Sequence, residues 1–148
     1  MEVKIEAISI KLLDSLYKIE QQCFSEEAFS KRQLTYLLKD FKSIALVAKA
    51  DGAIAGFIIA QMETDGVTFG HVLTLNVAPS FRRRAVATKL LEEMELQLKQ
   101  RGINECRLEV REDNHEAITL YLKVGYFTVG LLKRYYGQKH GLYLKKIL

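Results

Sequence analysis

Between Val77 and Leu91 the chain reads Val-Ala-Pro-Ser-Phe-Arg-Arg-Arg-Ala-Val-Ala-Thr-Lys-Leu-Leu. An apolar strand pattern ends there, an arginine-rich loop with small residues follows, and a helix begins. The first turn of a helix leaves backbone N–H groups without intrahelical partners, and the helix dipole draws anions to that end. Small residues at Ala85 and Ala87 let a phosphate approach the backbone, and Arg82, Arg83 and Arg84 add positive charge. The chemistry implied is the binding of a phosphate-bearing cofactor, mostly by N–H groups from Arg83 to Thr88, Val86 included. A solvated basic helix start is the alternative for the arginines.

Other residues admit two readings each. In Arg107-Leu108-Glu109-Val110-Arg111, alternation puts the two apolar residues on one face and the three charged ones on the other. Glu109 is then either a surface carboxylate paired with Arg107 or Arg111, or a base facing a cleft. Tyr121 follows Asn114 by seven residues, so the two lie on about the same helix face. Packing with Ile118 and Leu122 competes there with proton donation. His71 begins a strand and is either structural or a neutral imidazole sharing the work of a base. Tyr135 and Tyr136, bounded by Gly137, are loop anchors or the wall of an acceptor site. His115 and His140 read as surface residues, and three scattered histidines have no metal-ligand spacing, so no metal is expected. Cys23 and Cys106 read as small buried hydrophobes of a reducing compartment, both outside the site. No covalent nucleophile is then expected.

At 148 residues the length suits one domain, 1–148, able to bury a sizeable core. A net charge of +4 suits an anionic ligand, but one short arginine cluster is not a nucleic-acid-binding face. No apolar run approaches the ~20 residues needed to cross a bilayer, and residues 1–11 do not resemble a signal peptide. A cytoplasmic location is the expectation.

The elements that must position these residues can be read in order. Val3 to Ala7 alternates as a strand. Leu12, Leu13, Leu16, Ile19, Glu20 and Cys23 have helical spacing. Residues 25–29 break the pattern, and Ser30 with Gln33 forms a capping box for a second helix to about Leu38. Ile44–Ala48 and Ile54–Gln61 are strands joined across Asp51-Gly52, and Asp65-Gly66 turns the chain into His71–Val77. A helix from about Ala85 to Gln100, a strand Glu105–Val110 and a short helix capped by Asp113 or Asn114 follow. Strands Tyr126–Val129 and Leu142–Leu148 close the chain around a loop holding the tyrosine pair. The predicted fold class is mixed α/β, with helices on the faces of one sheet.

This order, with its residues, resembles the GNAT family of acetyl-coenzyme A dependent N-acetyltransferases over nearly the whole chain. The cofactor loop of the family reads Arg/Gln-x-x-Gly-x-Gly/Ala after Val-x-Pro. Here it is Arg82-Arg83-Arg84-Ala85-Val86-Ala87 after Val77-Ala78-Pro79. Leu108-Glu109-Val110-Arg111, Asn114-x-x-Ala117-Ile118-x-Leu120-Tyr121, Gly125-Tyr126 and Tyr135-Tyr136 are similar to the branch that acetylates protein N-termini, as is Gly70-His71 to its archaeal members. The first loop glycine of the family is Ala85 here. A helical φ is expected there, which alanine accepts.

The resemblance implies the GNAT fold, a largely antiparallel seven-stranded sheet with about four helices. It implies acetyl-coenzyme A as cofactor, held by Leu75, Val77, Arg82, Arg83, Arg84, Ala85, Val86, Ala87, Thr88, Asn114 and Tyr121. It makes Glu109 the base, with His71 as a possible partner, Tyr121 the acid, and the Val77 N–H a holder of the oxyanion. It makes Phe24, Phe29, Tyr135 and Tyr136 the acceptor wall. The implied reaction is direct transfer to the α-amine of protein N-termini, ribosomal or nascent proteins among them, with an auxiliary subunit or homodimer as possible partners. An α-amine, with a pKa near 8, is easier to deprotonate than a lysine near 10.4. The competing readings are an enzyme for lysine, polyamines or other small amines, and a non-catalytic acetyl-coenzyme A-binding subunit.

Overall fold

The computed structural model describes residues 2–24 and 26–148; of the break expected over 25–29, Ser25 lies outside the described residues. In chain order come β1 (Val3–Ala7), α1 (Leu13–Cys23), α2 (Lys31–Lys39), β2 (Ser43–Ala50), β3 (Ala53–Asp65) and β4 (Val67–Val77). Then follow α3 (Val86–Gln100), β5 (Glu105–Arg111), α4 (His115–Lys123), β6 (Phe127–Tyr136) and β7 (Lys139–Ile147). The strands form one sheet in the order β1-β2-β3-β4-β5-β7-β6. All neighbours are antiparallel except β4 and β5.

The expected hairpins form for the expected reason. Asp51 and Gly52 both have positive φ, 51° and 76°, the pair of values that a two-residue turn matched to strand twist requires. The β3–β4 hairpin runs further than the apolar pattern predicts, to Asp65 paired with Val67. On β3 its outer residues, Glu63, Thr64 and Asp65, are polar, and the Thr64 and Thr68 hydroxyls lie 3.1 Å apart, so that half of the hairpin carries no hydrophobic signal. Glu63 lies in that hidden extension.

Strand alternation sorts the core onto two faces. Phe57 and Ile59 face α1 and α2, where Leu16, Ile19, Leu34 and Leu37 are buried. Ile58 and Ala60 face α3, whose Leu90, Leu91, Met94 and Leu98 are fully buried with Leu108 and Leu144. The Ser30–Gln33 capping box is present in both directions. A Cβ on Gly70 would lie 2.4 Å from Leu98, so this glycine lets α3 seat against the sheet.

The sheet is incomplete at its centre. β4 and β5 pair only over Gly70–Val72 and Cys106–Leu108. One extra residue, Leu73, then enters β4 opposite the Ile59–Ala60 step of β3, and the two strands part. No helix among the described residues is long and apolar enough to cross a membrane.

Candidate active site

Two hollows open where β4 leaves β5. The first, about 570 Å³, is lined by residues 71–75 and 108–111, by Phe24, Glu27 and Phe29 beyond α1, and by Tyr135 and Tyr136. The second, about 530 Å³, is lined by Leu75, Val77, Arg82, Arg83 and residues 85–88. Cys23, Phe24, Leu75, Asn114, Ala117 and Tyr121 line both, so they mark the junction.

The second hollow has the features of an anion site. Ala78 N–H bonds Ala55 O, which in an antiparallel ladder turns Asn76 and Thr74 toward β3 and the backbone groups of Val77 and Leu75 toward the gap. Below them Arg83 and Ala85 both adopt left-handed φ, 63° and 60°. Such alternation folds successive N–H groups into a concave nest. It also corrects the helical φ expected at Ala85. That residue is the cap of α3, not its first turn, and it makes no side-chain capping bond. The N–H groups of Val86, Ala87 and Thr88 therefore point into the hollow without a capping side chain. Arg84 sits in the same turn but does not line the hollow. Left-handed alanine is strained by about 1 kcal/mol, part of which a glycine would give back through its freer unfolded chain. Ala85→Gly should therefore raise the melting temperature by roughly 2 °C without weakening coenzyme A binding, as read by thermal melts and calorimetry. A lower melting temperature would mean that the alanine methyl packs usefully.

In the first hollow Glu109 pairs with neither of the arginines beside it in sequence. Arg107 bonds Glu105 and lies over the Phe69 ring at 3.9 Å. Arg111 bonds Asp113 and, at 2.7 Å, Glu27. Glu109 Oε1 instead lies 2.7 Å from His71 Nε2, and His71 Nδ1 lies 2.6 Å from Glu63 Oε2. Burial of the ring opposes its charge, but the hydrogen bonds and charges of Glu109 and then Glu63 outweigh this and hold the imidazole above its ordinary pKa. Glu63 was not foreseen, because its position becomes meaningful only when the hairpin register sets it diagonal to His71.

Tyr121 is buried against Tyr126, with ring centroids 5.6 Å apart. Burial raises its phenol above the ordinary value, so the hydroxyl keeps its proton at neutral pH. Asn114 caps α4 by accepting from Ala117 N–H at 3.2 Å, and it also lines both hollows. The packing and capping readings of these two residues hold, and both residues also line the cleft.

The tyrosine pair is not in a loop. Tyr135 and Tyr136 end β6, where three residues, 133–135, oppose the single His140 of β7. His140 is consequently more than a surface residue, since its Nδ1 accepts from Arg134 N–H at 2.9 Å, with Arg134 at φ 53°. This bulge turns both rings to the hollow, edge to face at 4.9 Å. They rest on Gly141, where a Cβ would lie 3.1 Å from Tyr136 and 3.2 Å from Tyr135. Burial, then Glu109, raises the Tyr135 phenol.

Two further residues correct or extend the sequence reading. Cys23 lies within the site: the last turn of α1 faces the gap, and its thiol donates to Val77 O at 3.5 Å. Cys106 is buried in the core, its thiol pushed up to about 12 by burial. Glu20, fully buried, accepts from Thr74 Oγ1 at 2.7 Å, Asn76 Nδ2 at 3.0 Å and Phe29 N–H at 3.1 Å. It ties the loop at Phe29 to β4. Among the described residues no cluster of His, Cys, Asp and Glu is placed to hold a metal.

Residues 13–126 match the Acetyltransferase (GNAT) family. An N-alpha-acetyltransferase of Sulfurisphaera tokodaii is 29% identical over 97% of this chain and 91% of its own. The ribosomal protein bS18-alanine N-acetyltransferase of Salmonella typhimurium is 31% identical over 93% and 89%. The crystal structure of Ard1 from Thermoplasma volcanium superimposes with a TM-score of 0.91 at 26% identity, covering 100% of this chain and 99% of that one. With its split sheet, its nest before α3 and a family match running through both hollows, this chain belongs to the GNAT family and is an acetyl-coenzyme A dependent N-acetyltransferase.

Proposed function

We propose that the enzyme acetylates the free α-amino group of protein N-termini by direct transfer. The observation that carries this reading is the pairing of Glu109 and His71 at the floor of a hollow walled by Phe24, Phe29, Tyr135 and Tyr136. Relatives named for N-alpha-acetylation support it. Four carboxylates line the same hollow, which at first sight suits a polyamine. Glu20 is satisfied by three neutral donors, however, and Glu27 and Asp113 are held by Arg111. That leaves Glu109 to meet a single amine.

The second hollow would hold acetyl-coenzyme A, with its phosphates on the nest and on the first turn of α3, and its arm along Leu75 and Val77. When bound it supplies an acetyl group activated as a thioester. Glu109 takes a proton from the ammonium group through a water, leaving a neutral amine. The Val77 N–H, turned into the gap, is placed to hold an oxygen that gains charge. Tyr121, at the junction, holds a phenolic proton where a leaving sulfur would need one, and the second proton that the amine loses on becoming an amide makes up for it. Asn114 and the charges of Arg82, Arg83 and Arg84 assist in binding.

The Cys23 thiol could in principle carry an acetyl group. It serves instead as a donor to Val77 O, so Cys23→Ala should keep at least half of the turnover. Initial-rate patterns should intersect in both variant and wild type. Parallel lines, or loss of activity in the variant, would replace direct transfer with an acetyl-enzyme.

The test of the acceptor is a thiol-release assay with peptides beginning Ala, Ser, Met-Leu or Met-Glu, a blocked peptide with an internal lysine, and spermidine. Turnover confined to free N-termini is expected. Turnover only on lysine or spermidine would discard the acceptor, and binding without turnover would favour a non-catalytic subunit.

A further inference from the structure

We propose that Glu63 is a positioning residue for the base: it anchors Nδ1–H of His71, so that Nε2 is presented to Glu109 as the atom that takes over the proton Glu109 removes from the amine. This rests on the reading of Glu109 and His71 given above.

The geometry is a line of three groups. Glu63 Oε2 and Glu109 Oε1 lie on the two ring nitrogens at 2.6 and 2.7 Å. The three come from β3, β4 and β5, and they meet where the β4–β5 ladder is still intact, at the His71–Arg107 rung. The middle group is therefore held on rigid strands. The ends differ: the side chain of Glu109 is 15% exposed and that of Glu63 is 40% exposed. One carboxylate faces the hollow and the other faces water.

A neutral imidazole has one N–H and one lone pair, and the partner of one nitrogen decides the role of the other. A carboxylate on Nδ1 accepts an N–H there, so a neutral ring turns its Nε2 lone pair toward Glu109, and the 2.7 Å contact becomes a hydrogen bond once a proton lies between the two atoms. In the reaction an ammonium N–H bond breaks and its proton passes through water to Glu109. The proton then passes to Nε2, giving an imidazolium between two carboxylates. The same proton then leaves Nε2 for bulk water. One proton enters the pair and one leaves in each turnover, and Glu109 is again ionised.

Other charged or titratable groups face His71 as well. Arg107 and Glu109 come from β5, Tyr135 from β6, Tyr143 from β7, and Glu20 and Glu27 from α1 and the segment after it. Arg107 is engaged by Glu105 and Tyr143, and Glu20 and Glu27 by the partners named above, so Glu63 is the group bonded to Nδ1.

The sign of the pH effect follows. Nε2 can accept a proton only when the ring is neutral, so the rate rises as pH passes the imidazole pKa. Both carboxylates raise that pKa. Removing Glu63 lowers it and moves the acidic limb of kcat/KM to lower pH.

The test compares wild type, Glu63→Gln and Glu63→Asp. Proton NMR follows the His71 ring, identified by its loss in His71→Asn, and a pH profile of kcat/KM is recorded on the best acceptor found. The Gln variant should titrate His71 at lower pH, shift the acidic limb the same way, and lose about tenfold in kcat at the plateau. Its KM for acetyl-coenzyme A should not change. The Asp variant should recover part of each. A limb and an imidazole titration that stay put in Glu63→Gln overturn the proposal. So does a moved titration with an unmoved limb, because Glu63 would then orient a ring that the reaction does not use. If lysine or spermidine proves to be the acceptor, the same profile is read on it, and the loss of the N-terminal reading leaves this test intact.

Discussion

Turnover of Glu109→Gln on a peptide with a free N-terminus falls about 100-fold, while coenzyme A affinity and melting temperature stay close to wild type. The amide keeps the size of the carboxylate, so the packing of β5 against β7 is undisturbed. It can still accept from Tyr135 and bond His71, so the hollow keeps its shape. What it cannot do is take a proton. Coenzyme A is expected to be untouched because the residues proposed to hold it, Arg82, Arg83 and residues 85–88, line the other hollow, and Glu109 lines only the first. Stopped assays at saturating acetyl-coenzyme A, beside calorimetric binding, separate the two effects. Wild-type turnover would move the base to His71 or to water.

Glu20→Ala costs about 3 kcal/mol, which for a chain of this size is a loss of roughly 6–12 °C in melting temperature. The carboxylate sits in the core, where three neutral donors hold it. Its removal leaves Thr74 and Asn76 donors in an apolar wall, plus the volume of the side chain. Asn76 shows how far the network is committed. Its Nδ2 donates to both Glu20 and Thr74, and its Oδ1 is buried with no partner among the described residues. Turning the amide over would aim that oxygen at the carboxylate, so the orphaned atom is the smaller cost. Glu20→Gln keeps an acceptor oxygen and should lose about half as much. Because Phe29 N–H is one of the three donors, the Ala variant should also bind the acceptor peptide less tightly. An unchanged melting temperature would mean that the carboxylate contributes no more than its burial costs.

Much of this was legible in the chain. Local patterns named the order of elements, because amphipathic period, Asp-Gly turns and a capping box are each decided within a few residues. The second hollow was legible in part for the same reason: strand end, arginine-rich turn and helix start are contiguous from Val77 to Thr88. What escaped depended on register. Glu20 could be seen on the apolar face of α1, but nothing local says that Thr74 and Asn76 wait there. Glu63 belongs to the polar end of β3, which carries no hydrophobic signal of its own. Cys23 enters the site because α1 ends beside a gap that exists only once β4 has left β5. Ala85 was misread because alanine favours a helix locally, whereas the nest demands a left-handed cap. The tyrosine pair was seen but placed in a loop, since a bulge of two extra residues hides strand alternation.

A sheet normally keeps its exposed edges at its perimeter, here β1 and β6. This one carries two more inside, Leu73–Val77 on one side of the gap and Glu109–Arg111 on the other. Edges are where extended chains add themselves, and a cell ordinarily hides them. A molecule that fills the gap therefore completes the architecture as well as reacting in it. Starved of that molecule, the protein is two smaller sheets joined by a seam of three residue pairs. Amide exchange along Leu75 and Val77 would then report the supply of acetyl donor as faithfully as the rate of catalysis does.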